Sequence, residues 1–300
     1  MPPVLPAGVR EWRAGGGFVR TRAGSVFVRS RPGKGEQRDG GPTVLLLHGF
    51  PSSSYDFREV TGRLGDYGWL TLDFLGFGLS DKPRQHRYSL FEQADIVEQV
   101  VRETGPRDGP FVLVAHDMGT SVATELLARD LDGALSFDLQ AAVLTNGSVI
   151  LERASLRPIQ KILRGPAGPL ASRLTNERGF TRGFARLFSP EHPLSAEEAR
   201  AQWALLTHHR GERILHLLSA YLGERVRFAQ RWHGAVRHWP RKLGFLWATG
   251  DPVATTEVLA GLRELRPTAE VIELLGIGHY PQIEVPEAFA VGTRQLLELG

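Results

Sequence analysis

The stretch Phe111-Val-Leu-Val-Ala-His-Asp117-Met-Gly119-Thr-Ser-Val-Ala-Thr-Glu-Leu-Leu-Ala128 decides the fold of this chain. It begins with five apolar residues, which have the length of a buried β-strand, and ends in an apolar spacing typical of a helix. Between the two lies a turn of the form Ala115-x-Asp117-x-Gly119. Small residues around Asp117 let strand and helix approach closely, and Gly119 tolerates backbone conformations that a Cβ would penalise. The stretch therefore predicts a strand, a sharp turn and a helix, with the Asp117 side chain projecting above the sheet.

This turn has the form of a nucleophile elbow, although the central residue of such elbows is more often serine, in Gly-x-Ser-x-Gly. A serine needs a base before it can attack, whereas a carboxylate is already ionised at pH 7. A carboxylate can displace a leaving group at a saturated carbon and form an ester of the protein. The simpler alternative is that Asp117 only caps the following helix, because Asp is a favoured N-cap residue. The remainder of the chain favours the nucleophile, because it supplies the partners that the motif requires.

The composition is that of an ordinary globular protein of 300 residues, 42% hydrophobic and 23% charged, which suits one domain with an insertion. The net charge is only +3 and the arginines are dispersed, which argues against a nucleic-acid partner. The absence of cysteine excludes disulfides and thiolate metal sites. No apolar run approaches the roughly 18 residues of a membrane span, and the first residues lack the features of a signal peptide. We therefore expect a cytoplasmic protein without a membrane partner.

Apolar segments alternate with amphipathic helical patterns along most of the chain. A hairpin is expected between Phe18 and Arg29, where apolar and polar side chains alternate on both sides of Ala23-Gly24. The other predicted strands are Thr43–Leu47, Trp69–Asp73, Phe111–Ala115, Val143–Leu144, Leu243–Ala248 and Val271–Leu275. Such alternation predicts an α/β fold, with a mainly parallel sheet and helices on both faces.

Residues 148–240 interrupt this alternation. The segment has no convincing strand, and helices are expected around Leu156–Leu163, Ala196–His208 and Arg213–Trp232. A helical insertion at the end of the sheet where Asp117 lies would cover the elbow as a lid. The predicted organisation is a core of residues 1–147 and 241–300 with a helical cap at residues 148–240. The alternative is a helical domain unrelated to any site.

Three polar residues follow predicted strands in the order nucleophile, acid, histidine. Asp117, Asp251 and His279 each lie just past the carboxyl end of a strand, where open α/β sheets keep their sites. Asp251 could instead form a turn and His279 could be an ordinary loop histidine. His48-Gly-Phe-Pro51 also follows a strand, so that its backbone N–H groups are expected to face the elbow, unless it is a plain turn.

These motifs together resemble the epoxide hydrolase and haloalkane dehalogenase branch of the α/β-hydrolases. The resemblance rests on His48-Gly-Phe-Pro51, Asp73-Phe-Leu-Gly-Phe-Gly-Leu-Ser-Asp-Lys-Pro83, Ala115-His-Asp-Met-Gly119, Gly250-Asp251 and Gly278-His279. The segments Tyr221-Leu-Gly-Glu-Arg225 and Arg231-Trp-His-Gly-Ala235, with Asp251-Pro-Val253, look closer still to the mesoderm-specific-transcript-like group. The fold that the resemblance implies is the α/β-hydrolase fold with an inserted helical lid.

The resemblance also implies roles for individual residues. Asp117 would be the nucleophile, His279 the base that activates water against the ester, and Asp251 the residue that orients His279. The backbone N–H groups of Phe50 and Met118 would stabilise the oxyanion of the intermediate. No cofactor and no metal would be required.

The kind of leaving group that the site can stabilise depends on its hydrogen-bond and proton donors. Dehalogenases resembling this chain place a tryptophan after the nucleophile, whereas Met118 and Phe50 have no side-chain N–H, which argues against halide release. Epoxide opening needs a proton donor, and Tyr221 is the only tyrosine of the predicted lid. The alternative donors are His208, His209 and Tyr280. His48 and Tyr280 complete the predicted substrate site, together with Phe50 and Met118.

The first hypothesis is therefore an epoxide hydrolase that acts on a small or medium apolar epoxide. The second is another reaction in the same pocket: ester or lactone hydrolysis, dehalogenation, or rearrangement of a specialised metabolite. The third is a non-catalytic binding protein, which the complete set of three polar residues argues against. The expected partner is a small-molecule substrate, and a homodimer is left open.

Overall fold

The computed structural model describes residues 4–34, 41–106 and 109–298; the first three residues, part of the segment inspected for a signal peptide, lie outside them. One sheet of eight strands forms the centre, in the order β1-β2-β4-β3-β5-β6-β7-β8. The strands are β1 (Gly17–Arg20), β2 (Ser25–Arg31), β3 (Thr43–Leu47), β4 (Gly68–Leu72), β5 (Phe111–His116), β6 (Leu139–Thr145), β7 (Lys242–Ala248) and β8 (Glu270–Leu274). Strands β1 and β2 form an antiparallel hairpin, and β2 also pairs antiparallel with β4. All the other pairings are parallel.

Helices pack on both faces of this sheet, and further helices lie over the edge formed by its carboxyl ends. The helices of the described residues are α1 (Ala7–Ala14), α2 (Arg58–Thr61), α3 (Leu90–Thr104), α4 (Met118–Leu131), α5 (Pro158–Arg164), α6 (Gly168–Leu174), α7 (Glu177–Ala185), α8 (Ala196–Thr207), α9 (Leu215–Leu218), α10 (Tyr221–Arg227), α11 (Ala229–His238), α12 (Thr256–Leu265), α13 (Pro281–Glu284) and α14 (Pro286–Leu297). No helix among them is long and apolar enough to cross a membrane. The predicted α/β fold with a mainly parallel sheet is confirmed.

Two apolar cores form because successive side chains of a strand point to opposite faces. Leu45 and Leu113 belong to the core beneath α3, α4, α11 and α12, whereas Val44 and Val112 belong to the core beneath α1, α2 and α14. Both faces of the central strands are covered, which explains their continuously apolar sequence. Because the central strands are parallel, their carboxyl ends lie along one edge of the sheet, which is where Asp117 emerges.

Residues 148–240, which we call the cap, contain α5 to α11 and no strand. The cap differs in detail from the sequence prediction. The prediction of a single helix over Arg213–Trp232 is wrong, because the chain turns between α9 and α10 and again between α10 and α11. An apolar spacing does not reveal such breaks when the residues on both sides, such as Tyr221 and Trp232, are buried in the same core. Helix α6 lies outside the helices expected from the sequence; it has Pro169 in its first turn, where proline is favoured.

Candidate active site

The turn between β5 and α4 holds Asp117 in an unusual backbone conformation. Its φ is +46° and its ψ is −111°, a region that residues with a Cβ rarely adopt. The turn is tight: a Cβ on Gly119 would lie 2.6 Å from the carbonyl oxygens of Leu47 and His48. The Asp117 side chain makes no capping hydrogen bond to α4. The helix-cap alternative therefore does not describe this carboxylate, and the strain is of the kind found at functional sites.

The Asp117 carboxylate is nearly buried and faces the loop after β3. The backbone N–H of Phe50 donates a hydrogen bond of 2.9 Å to its Oδ2 atom. This bond fixes the Oδ2 atom of the carboxylate. Met118 begins α4, and its side chain is packed in the apolar core.

His279 and Asp251 form a buried pair at the ends of β8 and β7. The Nδ1–H of His279 donates to Asp251 Oδ2 at 2.7 Å, because a carboxylate can only accept. Burial alone would lower the pKa of His279, but the charge of Asp251 and this hydrogen bond raise it above its usual value. Burial would likewise raise the pKa of Asp251, yet the His279 contact lowers it overall. The pair is thus suited to stabilise an imidazolium.

Asn146, at the end of β6, completes the surroundings of the acid. Its amide donates to Asp251 Oδ2 at 2.9 Å and to the Ala248 carbonyl at 3.0 Å. The Val253 N–H donates to Asp251 Oδ1 at 2.7 Å. Both carboxylate oxygens are therefore hydrogen-bonded, which holds Asp251 ionised and fixes its orientation toward His279.

His116 supports the histidine loop from beneath. Its Nε2 atom lies 2.7 Å from the His279 carbonyl oxygen, and the Gln282 amide is 3.1 Å from its Nδ1 atom. Burial and the nearby His279 lower the pKa of His116 to about 4. Neutral His116 therefore donates to the carbonyl from Nε2 and accepts from Gln282 at Nδ1. This contact was not predicted, because position 116 was considered only as part of the elbow.

Arg225 of α10 is the main site residue that was not predicted. It is buried, and its guanidinium donates to the Asp117 carbonyl oxygen at 3.0 Å and to the Ser121 hydroxyl at 2.7 Å. The same group lies 3.8 Å from Asp117 Oδ1 and 4.7 Å from the centre of the Tyr221 ring. Arg225 therefore ties the cap to the strained elbow. The segment Tyr221-Leu-Gly-Glu-Arg225 contains this arginine, but in the sequence it indicates only the resemblance to the mesoderm-specific-transcript-like group.

Tyr221 is buried behind the Phe50 ring, with the two ring centres 5.7 Å apart. Its hydroxyl makes no hydrogen bond of standard geometry within the described residues, and the Gln160 side chain is its polar neighbour. Burial raises the pKa of this hydroxyl, and the negative charge of Asp117 raises it further. Tyr221 therefore stays protonated and has a hydrogen to donate.

The side chains of His48, Met118 and Tyr280 do not line the cavity, which corrects their expected direct contact with substrate. His48 accepts from the Phe74 N–H and contacts the Gly49 carbonyl, and burial lowers its pKa to about 3. Tyr280 packs behind His279, with its hydroxyl 3.5 Å from the Phe50 carbonyl oxygen. These side chains pack behind the residues that line the cavity. The backbone role predicted for Met118 stays a prediction.

A cavity of about 540 Å³ lies between the sheet edge and the cap. Asp117 and His279 both line it, together with Phe50 and Val253. Most of the remaining wall comes from α5, α6 and α7, among them Ile159, Ile162, Leu163, Ala171, Leu174, Phe180 and Phe184. An apolar chamber thus meets a carboxylate and a histidine at its floor. Within the described residues, no group of three or more histidine or acidic side chains could hold a metal ion.

Comparison with known proteins agrees with this architecture. The Alpha/beta hydrolase family matches residues 44–291. The chain therefore belongs to the α/β-hydrolase family. It is 65% identical over 289 residues to a Mycobacterium tuberculosis protein named "Putative hydrolase LipZ", covering 96% of this chain and 98% of that one. This likeness and the family both support a hydrolase.

The predicted likeness to the mesoderm-specific-transcript group is also confirmed. The chain is 36% identical to the mesoderm-specific transcript homolog protein of Bos taurus, over 96% of this chain and 87% of that protein. Among solved structures, the haloalkane dehalogenase DbeA of Bradyrhizobium elkani superposes with a TM-score of 0.77 at 21% identity, over 95% of this chain and 99% of that one. At that identity the dehalogenase shows the fold alone.

Proposed function

We propose that this hydrolase forms an ester on Asp117 and that His279 then activates water to cleave the ester. The observation that carries the proposal is the Asp117 carboxylate at the elbow: the Phe50 N–H binds it, and it shares one cavity with the His279–Asp251 pair. A carboxylate in this position is already a nucleophile, and it needs no base for attack.

In the first step, Asp117 Oδ1 attacks a saturated carbon of the substrate, the carbon–oxygen bond of an epoxide breaks, and the ring oxygen takes a proton. In the second step, His279 removes a proton from water, which attacks the carbonyl carbon of the ester. The negative charge that develops on Oδ2 is stabilised by the Phe50 N–H, which already donates to that atom. The tetrahedral intermediate then collapses: the leaving oxygen takes the proton back from His279, the diol is released and the carboxylate is regenerated.

An apolar epoxide fits the donor inventory of the site better than a haloalkane does. Phe50 and Met118 offer no side-chain N–H to a halide. Tyr221, in contrast, has a buried hydroxyl without a hydrogen bond of standard geometry in the described residues. A buried hydroxyl of this kind is rare unless it has a functional partner. We assign the proton for the epoxide oxygen to Tyr221, which lies directly against two residues of the cavity wall, Phe50 and Gln160.

The test is mass spectrometry of the His279→Gln variant after incubation with an apolar epoxide, a haloalkane or an aryl ester. The proposal predicts a stable adduct on the peptide carrying Asp117 with the full mass of the epoxide, because ring opening releases no atom. A dehalogenase would instead gain only the alkyl group from the haloalkane. The Asp117→Asn/His279→Gln double variant is the control and should gain no mass. No epoxide adduct in His279→Gln, together with turnover of the aryl ester by the wild-type chain, would replace the proposal by ester hydrolysis.

The role of Tyr221 is tested separately by Tyr221→Phe, which removes only the hydroxyl. Ester formation with an epoxide should slow about 100-fold, as expected for the loss of a general acid. The matched control is Tyr88→Phe, because the Tyr88 side chain is also buried but its hydroxyl donates a hydrogen bond to the Pro83 carbonyl. Unchanged ester formation in Tyr221→Phe would assign the proton to another group.

A further inference from the structure

Four large apolar side chains are exposed on two neighbouring cap helices. Ile159 and Ile162 on α5 are 52% and 46% exposed, and Leu170 and Leu174 on α6 are 59% and 66% exposed. The spacings of three and four residues place each pair on one side of its helix. The two helices pack against each other, and exposed side chains of both, Ile159, Ile162 and Leu174, line one cavity, which places these apolar groups side by side. Contiguous apolar surface of this kind marks an interaction site.

The same segment carries an excess of positive charge. Residues 155–187 contain seven basic residues and one acidic residue, a net charge of +6, whereas the whole chain carries only +3, so that the remainder is −3. The seven are Arg157, Lys161, Arg164, Arg173, Arg178, Arg182 and Arg186. Within the part of the chain that the structure describes, none of them forms an ion pair, and all except Arg157 are exposed. We call these seven residues and the four apolar ones the cap surface.

The cavity opens at the cap surface. Ile159, Ile162 and Leu174 are exposed and also line the cavity that contains Asp117. Arg157 and Arg186 stand on the same wall. An apolar molecule in contact with the cap surface therefore has a continuous apolar path to the site.

We propose that the cap surface docks on an anionic lipid bilayer, with its apolar side chains in the acyl boundary and its basic side chains among the head groups. Charge decides between the occupants. A second copy docked face to face would oppose +6 to +6, and a nucleic acid would leave the four apolar side chains without a partner. A bilayer with anionic head groups satisfies both features, as it does for basic amphipathic surfaces in general.

This docking adds a substrate source to the proposed function, because a docked chain could take a lipophilic substrate from the bilayer. Only that part of the inference rests on the proposed function. The expectation of no membrane partner was based on the absence of a spanning apolar run, and a surface that lies on the bilayer needs none. Docking itself is measured without turnover, so that its failure and the failure of the proposed reaction are distinguishable.

The experiment is co-sedimentation of the purified chain with vesicles of phosphatidylglycerol and phosphatidylcholine, compared with vesicles of phosphatidylcholine alone. The wild-type chain should bind only the anionic vesicles, and salt should release it because screening weakens the attraction. Lys161→Glu/Arg173→Glu should lower the partition coefficient at least about tenfold, given the contribution of each basic residue near an anionic surface. Leu170→Asp should weaken binding as well. Arg22→Glu/Arg102→Glu is the matched control, because both residues are exposed but lie outside the cap, and it should bind like the wild type.

Several outcomes would overturn the proposal. These are no binding to anionic vesicles, equal binding to both vesicle types, or an equal loss of binding in the control. Analytical ultracentrifugation without lipid adds another: a dimer that Leu170→Asp dissociates would show that the cap surface joins two copies of the chain.

Discussion

The sheet edge and the cap surface differ in whether their charged groups are buried and paired. At the sheet edge, Asp117, Asp251, His279 and Arg225 are all buried, and each has a hydrogen-bond partner. On the cap surface the basic residues have no ion-pair partner within the described residues, and apolar side chains are exposed beside them. Buried charges must be paired because desolvation is costly. The paired, buried groups of the sheet edge suit the proposed reaction, and the unpaired, exposed groups of the cap surface suit the proposed docking.

The largest effect is expected at the nucleophile. Asp117→Asn should lower kcat about 10⁴-fold or more, because an amide is a poor nucleophile. The fold should persist, because asparagine tolerates positive φ better than most residues. Turnover of an apolar epoxide and near-ultraviolet circular dichroism check both statements. Asp132→Asn, at the exposed end of α4, is the control and should be fully active. Retention of more than a tenth of the activity in Asp117→Asn would show that the buried carboxylate of the sheet edge is not the nucleophile.

The next effect concerns the acid. Asp251→Asn should lower kcat about 10²- to 10⁴-fold, because His279 loses the charge that stabilises its imidazolium. His279 must be neutral to accept a proton from water, so kcat rises as pH passes through its pKa. Burial lowers that pKa and Asp251 raises it to a net value above the usual one. Removal of the charge therefore moves the acidic limb of the kcat profile to lower pH. A limb that stays in place or moves to higher pH would exclude Asp251 as the partner.

A smaller effect is expected at Arg225. Arg225→Met removes the donor to the Ser121 hydroxyl and one donor to the Asp117 carbonyl, to which Thr120 still donates. We expect kcat to fall about 10- to 100-fold through misplacement of the nucleophile, with KM nearly unchanged, and the free energy of unfolding to fall by about 3 kcal/mol. Arg225→Lys should restore part of the lost stability and a smaller part of the lost kcat, because lysine lacks the planar fork of the guanidinium. Arg227→Met, exposed on the same helix, is the control. Full activity in Arg225→Met would reduce this residue to a packing role.

The smallest effect is expected on the cap surface itself. Leu113→Ala, in the buried centre of β5, should cost about 2–5 kcal/mol of unfolding free energy. Leu170→Ala should change it by less than about 0.5 kcal/mol, because Leu170 is already exposed. Urea unfolding of both variants provides the measurement. A large loss in Leu170→Ala would mean that this side chain stabilises the fold and is not held ready for a partner.

The same contrast explains what the sequence could predict. The strand, turn and helix around Asp117 follow from local pattern, because steric fit at a tight turn restricts the residues that can occupy it. Asp251 and His279 were found because parallel strands bring their carboxyl ends together. Such inferences need only the order of the elements along the chain.

The contacts that cross between cap and core could not be predicted. Arg225 meets the Asp117 carbonyl 108 positions away, and no periodicity within α10 distinguishes a buried arginine from a solvated one. The breaks between α9, α10 and α11 likewise depend on packing against the core. Tertiary contacts of this kind override local propensity, so they appear only once the fold is known.

The most direct test of the ester on Asp117 is a single turnover of an epoxide in water enriched in oxygen-18, with enzyme in excess. If Asp117 attacks carbon, the first diol carries the unlabelled oxygen of the carboxylate, and the label enters Asp117 when water cleaves the ester. Mass spectrometry of the diol and of the peptide carrying Asp117 reads both positions. The account predicts unlabelled diol and labelled Asp117. Labelled diol with unlabelled Asp117 would mean that water attacks the substrate directly, and Asp117 would not be the nucleophile.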